Sequence, residues 1–184
     1  MLLCLFVKIN RGLYRLPFFP SNDWSNIETA FRFDLEDYGS YIFSSVGTYE
    51  LLVEPEGCLG LGLMLGRKEI ASSDEYIGEY TGIVKVYDES DTSNYNATLV
   101  EGHYIIDAKD SSNILKYCNH SCKPNAYLKV CIHSPSGELR VGMFSKYSIK
   151  PFSWINICYC KGKTLKEFFK LKKCFCNSCV KTNK

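Results

Sequence analysis

The chain has 184 residues, 46% hydrophobic and 14% aromatic, enough for one domain with a core, or one domain and a small appendage. That composition excludes disorder, and a net charge of +2 gives no field strong enough to recruit nucleic acid or an acidic membrane. No apolar run nears the roughly 18 residues of a membrane span.

The opening MLLCLFVKIN breaks at Lys8. It is short for a signal-peptide core, has no basic region before it, and reads as an amino-terminal strand of a cytosolic or nuclear protein. Residues 1–47 alternate aromatic and polar residues around Trp24, Phe31, Phe33 and Tyr38 and read as an extension packed on the main domain. From Thr48 the pattern becomes short apolar runs between turns. TYELLVE is a strand, GCLGLGL a glycine-rich turn, and EYIGEYTGIVKVY a pair of β-branched and aromatic strands. DESDTSNYN is a polar loop, HYIIDA a strand, and NILKYCNHS a short helical turn entering a loop. AYLKVCIHSPSGELRVGMFS is a hairpin about an SPSG turn. KTLKEFFKLKK places Leu165, Phe168, Phe169 and Leu171 at helical spacing. The lysines from Lys161 to Lys173 read first as a solvated helix face and second as a contact for an acidic partner. Together these elements predict a β-rich (α+β) domain of small curled sheets.

Ten cysteines in a chain without a secretion signal argue against a disulfide framework. Most of Cys4, Cys58, Cys118, Cys131, Cys158 and Cys160 read as small core hydrophobes. Cys174, Cys176 and Cys179, at C-x-C-x-x-C spacing, suit zinc, but a structural site needs a fourth ligand. Cys122, within NHSCKPN (residues 119–125), can supply it if the tail folds back. Metal energy would then hold a short tail that has little core of its own. The pairs Cys158/Cys160 and Cys174/Cys176 form a rival four-thiol set that spacing does not exclude.

The glycine turn alone is a weak signal, because no βαβ unit follows it. In order, however, GLGL, EYTG, YIIDA, N-x-x-x-Y-C-NHSCKPN, a tyrosine-ended strand and C-x-C-x-x-C resemble a SET-domain protein lysine methyltransferase from about Thr48 to Cys179. The resemblance implies a SET fold with a pseudoknot over residues 48–160 and a post-SET helix and zinc-binding tail over 161–184. It implies S-adenosylmethionine held by Gly60, Leu61, Gly62, Asn119 and His120, with Lys116 where the family usually has Arg. Tyr159 falls at the catalytic position. Ile157 and Tyr127 belong to the substrate channel, and Tyr95 or Tyr104 lines the pocket. Cys122, Cys174, Cys176 and Cys179 are implied as ligands of a structural Zn2+, with tail spacing closest to the SET-and-MYND branch, without a MYND insert. Pro124 and Asn125 would fix the loop through which the chain threads.

The implied substrate is protein lysine, with a histone tail first by analogy. No direct nucleic-acid binding and no membrane are expected, and the implied location is nucleus or cytosol, the nucleus favoured. The alternative is a catalytically weak SET domain that binds a peptide or partner. It is motivated by Phe152-Ser153-Trp154-Ile155 in place of the usual Gly-Glu-Glu-Leu, by Cys158 in place of an acidic residue, and by Ser72-Ser73 in the turn before EYTG. At Ile157 many members carry Phe or Tyr, so room for di- or trimethylation is expected here.

Overall fold

A computed structural model describes residues 6–9, 12–15, 40–41, 49–88, 95–100, 104–133, 138–159, 174–176 and 179. Its strands are β1 (Phe6–Ile9), β2 (Gly12–Arg15), β3 (Ser40–Tyr41), β4 (Leu51–Pro55), β5 (Leu61–Leu65), β6 (Tyr76–Tyr80), β7 (Ile83–Val86), β8 (Asn96–Val100), β9 (Tyr104–Asp107), β10 (Ala126–His133) and β11 (Glu138–Ser145). Two 3-10 turns, Gly57–Leu59 and Ile114–Tyr117, punctuate them. The β-rich expectation is met, and every strand proposed between Thr48 and Ser145 is present. The predicted helix at 163–173, the SPSG turn and most of residues 1–47 lie outside the described residues. No helix among the described residues is long and apolar enough to cross a membrane.

The chain divides into two compact units. The first comprises Met1–Ser45, Glu79–Asn113 and Lys129–Gly142. Its three-stranded antiparallel sheet has the order β7-β9-β8. The four residues of the central strand β9 are all buried, which is why YIID reads as a continuous apolar run rather than an alternating one. Asp107 closes that strand, buried and paired with Lys85. The glycine of EYTG is a packing requirement: a Cβ on Gly82 would stand 2.2 Å from the Asp107 carbonyl oxygen. Strand β8 answers no prediction, because Asn96 closes a polar run that reads as loop. The larger sheet runs β1-β2-β11-β10-β3, with β6 also pairing β11; β6, β10 and β11 each extend past the boundary between the units.

The second unit, Val46–Gly78, Ile114–Leu128 and Met143–Lys184, carries the hairpin β4-β5, registered from Leu51↔Leu65 to Pro55↔Leu61. Its core is Leu63, Leu65, Ile70, Ile77, Leu115, Met143, Phe144, Ile149 and Ile155, all at most 3% exposed. Each such side chain contributes on the order of 1.5–3 kcal/mol of burial. Segment 152–157 lies between β5 and the loop 119–126. On one side Ile155 N–H donates to Leu63 O (2.8 Å) and Leu65 N–H to Ser153 O (2.9 Å). On the other, Ile157 N–H donates to Asn119 O (3.1 Å), Ser121 N–H to Ile157 O (2.9 Å) and Ala126 N–H to Asn156 O (3.0 Å). The tyrosine-ended strand of the sequence reading is therefore an extended segment with bridges at Trp154 and Ile157, not a regular strand.

Candidate active site and metal centre

The seven residues of NHSCKPN do separate jobs. Asn119 Nδ2 donates to Glu56 Oε2 and to Leu61 O, both at 2.9 Å. It thereby fastens the loop to the glycine turn between β4 and β5. Glu56 is 5% exposed and nothing in the sequence marks it; a Glu beside a glycine turn reads as surface. Gly62 faces it so closely that a Cβ would lie 2.4 Å from Glu56 Oε2 and 3.0 Å from the Trp154 ring. Gly57 and Gly60 adopt φ of 55° and 85°, a region that favours glycine, and a Cβ on either would meet nothing within 4 Å. Beside this turn is an open cavity of about 180 Å³ lined by Glu56, Gly57, Cys58, Leu59 and Trp154. Of the three residues expected to hold the cofactor, Gly60 and Leu61 are exposed, Gly62 is buried, and none lines that cavity.

His120 is 8% exposed, and burial lowers the pKa of its imidazole from the ordinary value. Its Nδ1 accepts the backbone N–H of Tyr159 at 3.1 Å. The two rings meet at 5.5 Å and 57°. The Tyr159 hydroxyl donates to Cys118 O at 2.6 Å, so the residue is held at its amide and at its phenol. Asn125 spends both ends of its amide on the neighbouring segment: Nδ2 donates to Trp154 O and Oδ1 accepts Asn156 N–H, each at 2.8 Å. Ile157 is buried and bridges His120.

The structure thus brings Gly60, Leu61, Gly62, Asn119, His120, Ile157 and Tyr159 into one neighbourhood. Tyr127 joins a second cluster: it stacks on Phe144 at 5.8 Å and donates to Asp74 Oδ1 at 2.6 Å. Lys116 sits on the second 3-10 turn with its ammonium 5.5 Å from the Tyr117 ring centre. Tyr95 and Tyr104 belong to the first unit, where Tyr95 O accepts the Tyr80 hydroxyl and Tyr104 is buried.

The tail does return to Cys122. Its Sγ lies 3.9 Å from that of Cys174 and 3.4 Å from that of Cys179, and its N–H points at Cys176 Sγ at 3.5 Å. Four thiolates tetrahedral about zinc at about 2.3 Å stand about 3.8 Å apart, so the donor set matches a zinc site in chemistry and spacing. Burial and the neighbouring thiols raise the Cys122 pKa. At Cys176 burial acts the same way, but hydrogen bonds from the Cys122 and Cys179 backbone outweigh it and hold the thiol at about 7. So many thiols in contact ionise together only around a cation. His120 Nε2, 3.4 Å from Cys122 Sγ, adds a nitrogen: His120, Cys122, Cys174 and Cys176 bring ligand atoms within 4.8 Å of one another. Cys158 is exposed and outside this cluster, and its partner in the rival set, Cys160, lies outside the described residues. The reading of the scattered cysteines as core holds for Cys118 and Cys131 and fails for Cys58 and Cys158, which are exposed. Cys58 sits in the first 3-10 turn and Cys158 next to the end of the extended segment.

Comparison with known proteins bears on the fold and the family. Histone-lysine N-methyltransferase MEDEA of Arabidopsis thaliana is 32% identical over 97 residues, spanning 48% of this chain and 14% of that protein. Histone-lysine N-methyltransferase Set2 of Drosophila melanogaster is 32% identical over 114 residues, spanning 56% of this chain and 5% of that protein. The chain therefore aligns with only a small part of these relatives. The crystal structure of KRYPTONITE in complex with mCHG DNA and SAH superposes with a TM-score of 0.57 over 70% of this chain and 27% of that one, at 24% identity. The SET domain family matches residues 60–160, more than half of the sequence, and the chain belongs to that family.

Proposed function

We propose that this chain transfers methyl groups from S-adenosylmethionine to the side-chain amine of lysine in a protein, with a histone tail as the substrate class. The observation that carries the reading is the double anchoring of Tyr159, its amide on His120 and its hydroxyl on the Cys118 carbonyl. A surface tyrosine needs neither. The relatives, histone-lysine N-methyltransferases, supply the substrate class. KRYPTONITE was crystallised with DNA, and that ligand belongs to KRYPTONITE. For this chain a net charge of +2 favours a protein partner, and a histone substrate favours the nucleus.

When bound, S-adenosylmethionine supplies an electrophilic methyl group. The residues of this chain do the rest. The exposed backbone at Gly60 and Leu61, braced through Gly62 by Glu56 and Asn119, holds the cofactor together with the His120 loop. A lysine amine, with a reference pKa of about 10.4, is neutral only on the order of once in a thousand near neutral pH. An apolar lining such as buried Ile157 disfavours the ammonium form and raises that fraction. Tyr159, fixed at both ends, orients the reacting groups, and positioning supplies much of the rate. Cys122, Cys174, Cys176 and Cys179 hold a structural zinc that pins the tail to the same loop.

The test is methyl transfer from labelled S-adenosylmethionine to core histones and to a whole-cell protein extract, wild type beside Tyr159→Phe. Label with wild type, lost in the variant, is expected. The departures at Phe152–Ile155 and Cys158 favour one other reading, a SET domain that binds a peptide without turnover. Cofactor binding with no label on any protein would select it.

A further inference from the structure

We propose that Glu56 is a cofactor-binding residue whose carboxylate receives the α-amino group of S-adenosylmethionine. The inference deepens the methyltransferase reading above and rests on it. Glu56 stands among the residues expected to hold the cofactor. Its Oε2 accepts Asn119 Nδ2 at 2.9 Å, and Gly62 lies against it so closely that a Cβ there would be 2.4 Å from the same oxygen. The Leu61 carbonyl accepts the same Asn119 nitrogen, also at 2.9 Å. Two acceptors, one of them a carboxylate, therefore converge on one side of the turn. Glu56 also lines the open cavity beside the turn, whose other lining residues, Gly57, Cys58, Leu59 and Trp154, are neither acidic nor basic. It is the acid that joins the cavity to the Asn119 loop, and the fold leaves only 5% of it exposed.

That chemistry selects a cation that donates hydrogen bonds. A carboxylate offers about four lone-pair sites and a carbonyl two, so accepting from Asn119 exhausts neither. S-adenosylmethionine has two positive centres. Its sulfonium has no hydrogen to donate, whereas its α-amino group, as an ammonium, has three. Attraction between unlike charges strengthens where water is excluded, and a charge-assisted hydrogen bond is roughly twice as strong as a neutral one. The same carboxylate repels a phosphate. It should therefore discriminate against nucleotides that carry a phosphate chain in place of the amino-acid end. Gly62 gains a reason as well, since any side chain there would push the carboxylate off the turn.

Calorimetry on the full chain with three ligands reads this contact. They are S-adenosylmethionine, its demethylated product S-adenosylhomocysteine, and 5′-methylthioadenosine, which keeps the adenosine and lacks the amino-acid end. Glu56→Gln keeps an oxygen for Asn119 and removes the charge. It is expected to weaken S-adenosylmethionine and S-adenosylhomocysteine about tenfold and to leave methylthioadenosine unchanged. An equal loss for all three ligands, as a loosened Asn119 brace would give, overturns the proposal, and so does no loss for any. A loss for S-adenosylmethionine alone would put the carboxylate at the sulfonium and overturns it too. Should Glu56→Gln fail to fold, wild type alone decides. The analogue of S-adenosylhomocysteine without its α-amino group should bind about tenfold more weakly than the parent, and equal binding overturns the proposal. A wild type that binds none of the three ligands overturns the methyltransferase reading itself, and the proposal with it.

Discussion

Gly62→Ala tests whether the glycine turn is built around a buried acid. The new Cβ would lie 2.4 Å from Glu56 Oε2, 2.8 Å from Glu56 Cβ and 3.0 Å from the Trp154 ring. Glu56 is 5% exposed and Gly62 is flanked by the fully buried Leu63, so the contact is not relieved by swinging a chain into solvent without loss. Overpacking of this kind costs about 1–3 kcal/mol. Displacing Glu56 also releases its hydrogen bond to Asn119, worth about 1–2 kcal/mol. The sum is a loss of about 2–5 kcal/mol in urea unfolding, with weaker cofactor binding because Asn119 no longer braces the turn. Glu56→Ala in the same chain removes the carboxylate contact but leaves the Cβ at 2.8 Å and Trp154 at 3.0 Å, so it should rescue only in part. A coupling of about 1 kcal/mol between the two substitutions is expected. A single variant within about 0.5 kcal/mol of wild type, or strictly additive effects, would refute the reasoning.

Phe152 holds φ at 57° and is 59% exposed; left-handed backbone costs a non-glycine residue about 1–2 kcal/mol. Phe152→Gly should therefore stabilise the fold by about 0.5–1 kcal/mol after glycine's own entropy loss, read in the same urea titration. Asn125→Ala strips both hydrogen bonds from segment 154–156 and should destabilise by about 2–3 kcal/mol, visible as a lower midpoint at unchanged slope. Tyr49 donates to Glu75, and burial first, then that bond and the nearby charge, push its pKa up to about 12. Hydrogen bonds from Tyr49 and Ser72 hold the Glu75 pKa below its ordinary value. The Tyr49 contribution is full below pH about 10 and is lost as pH rises through about 12. The Glu75 contribution is present above its unfolded pKa and is lost as pH falls through its folded one. Tyr49→Phe should flatten the alkaline limb of a stability–pH curve; an unchanged limb would sink the pairing. At the product level, mass spectrometry should find di- or trimethyl-lysine with wild type and only monomethyl-lysine with Ile157→Phe.

How much of this was legible beforehand depends on how far apart the partners lie in the chain. Strands β4, β6, β7, β9 and the β10–β11 hairpin declare themselves because their alternation and turns are local, whereas β5 starts inside the stretch read as a glycine-rich turn. NHSCKPN is conspicuous for the same reason: its mixture of amide, imidazole, thiol and proline suits no regular element. The partners of those residues are another matter. Asn119 finds Glu56 63 positions away, His120 finds Tyr159 39 away, Asn125 finds Asn156 31 away, and Cys122 finds Cys179 57 away. Apart from the tail cysteines, whose missing fourth ligand pointed to Cys122, local pattern carries no trace of such pairings, so the buried Glu56 went unmarked, and exposed Cys58 and Cys158 looked like core. The same separation explains why the loop is so particular. Three distant segments converge on seven residues and make four demands there, each met by only one chemistry: an amide donor for the Glu56 carboxyl and the Leu61 carbonyl, a lone pair for the Tyr159 amide, a thiol for the tail, and a two-ended amide for Trp154 and Asn156. A loop that satisfied one of these with a different group would leave a partly buried donor or acceptor unpaired, at a cost of about 1–3 kcal/mol. The odd composition of the loop is thus the local imprint of contacts that are not themselves local.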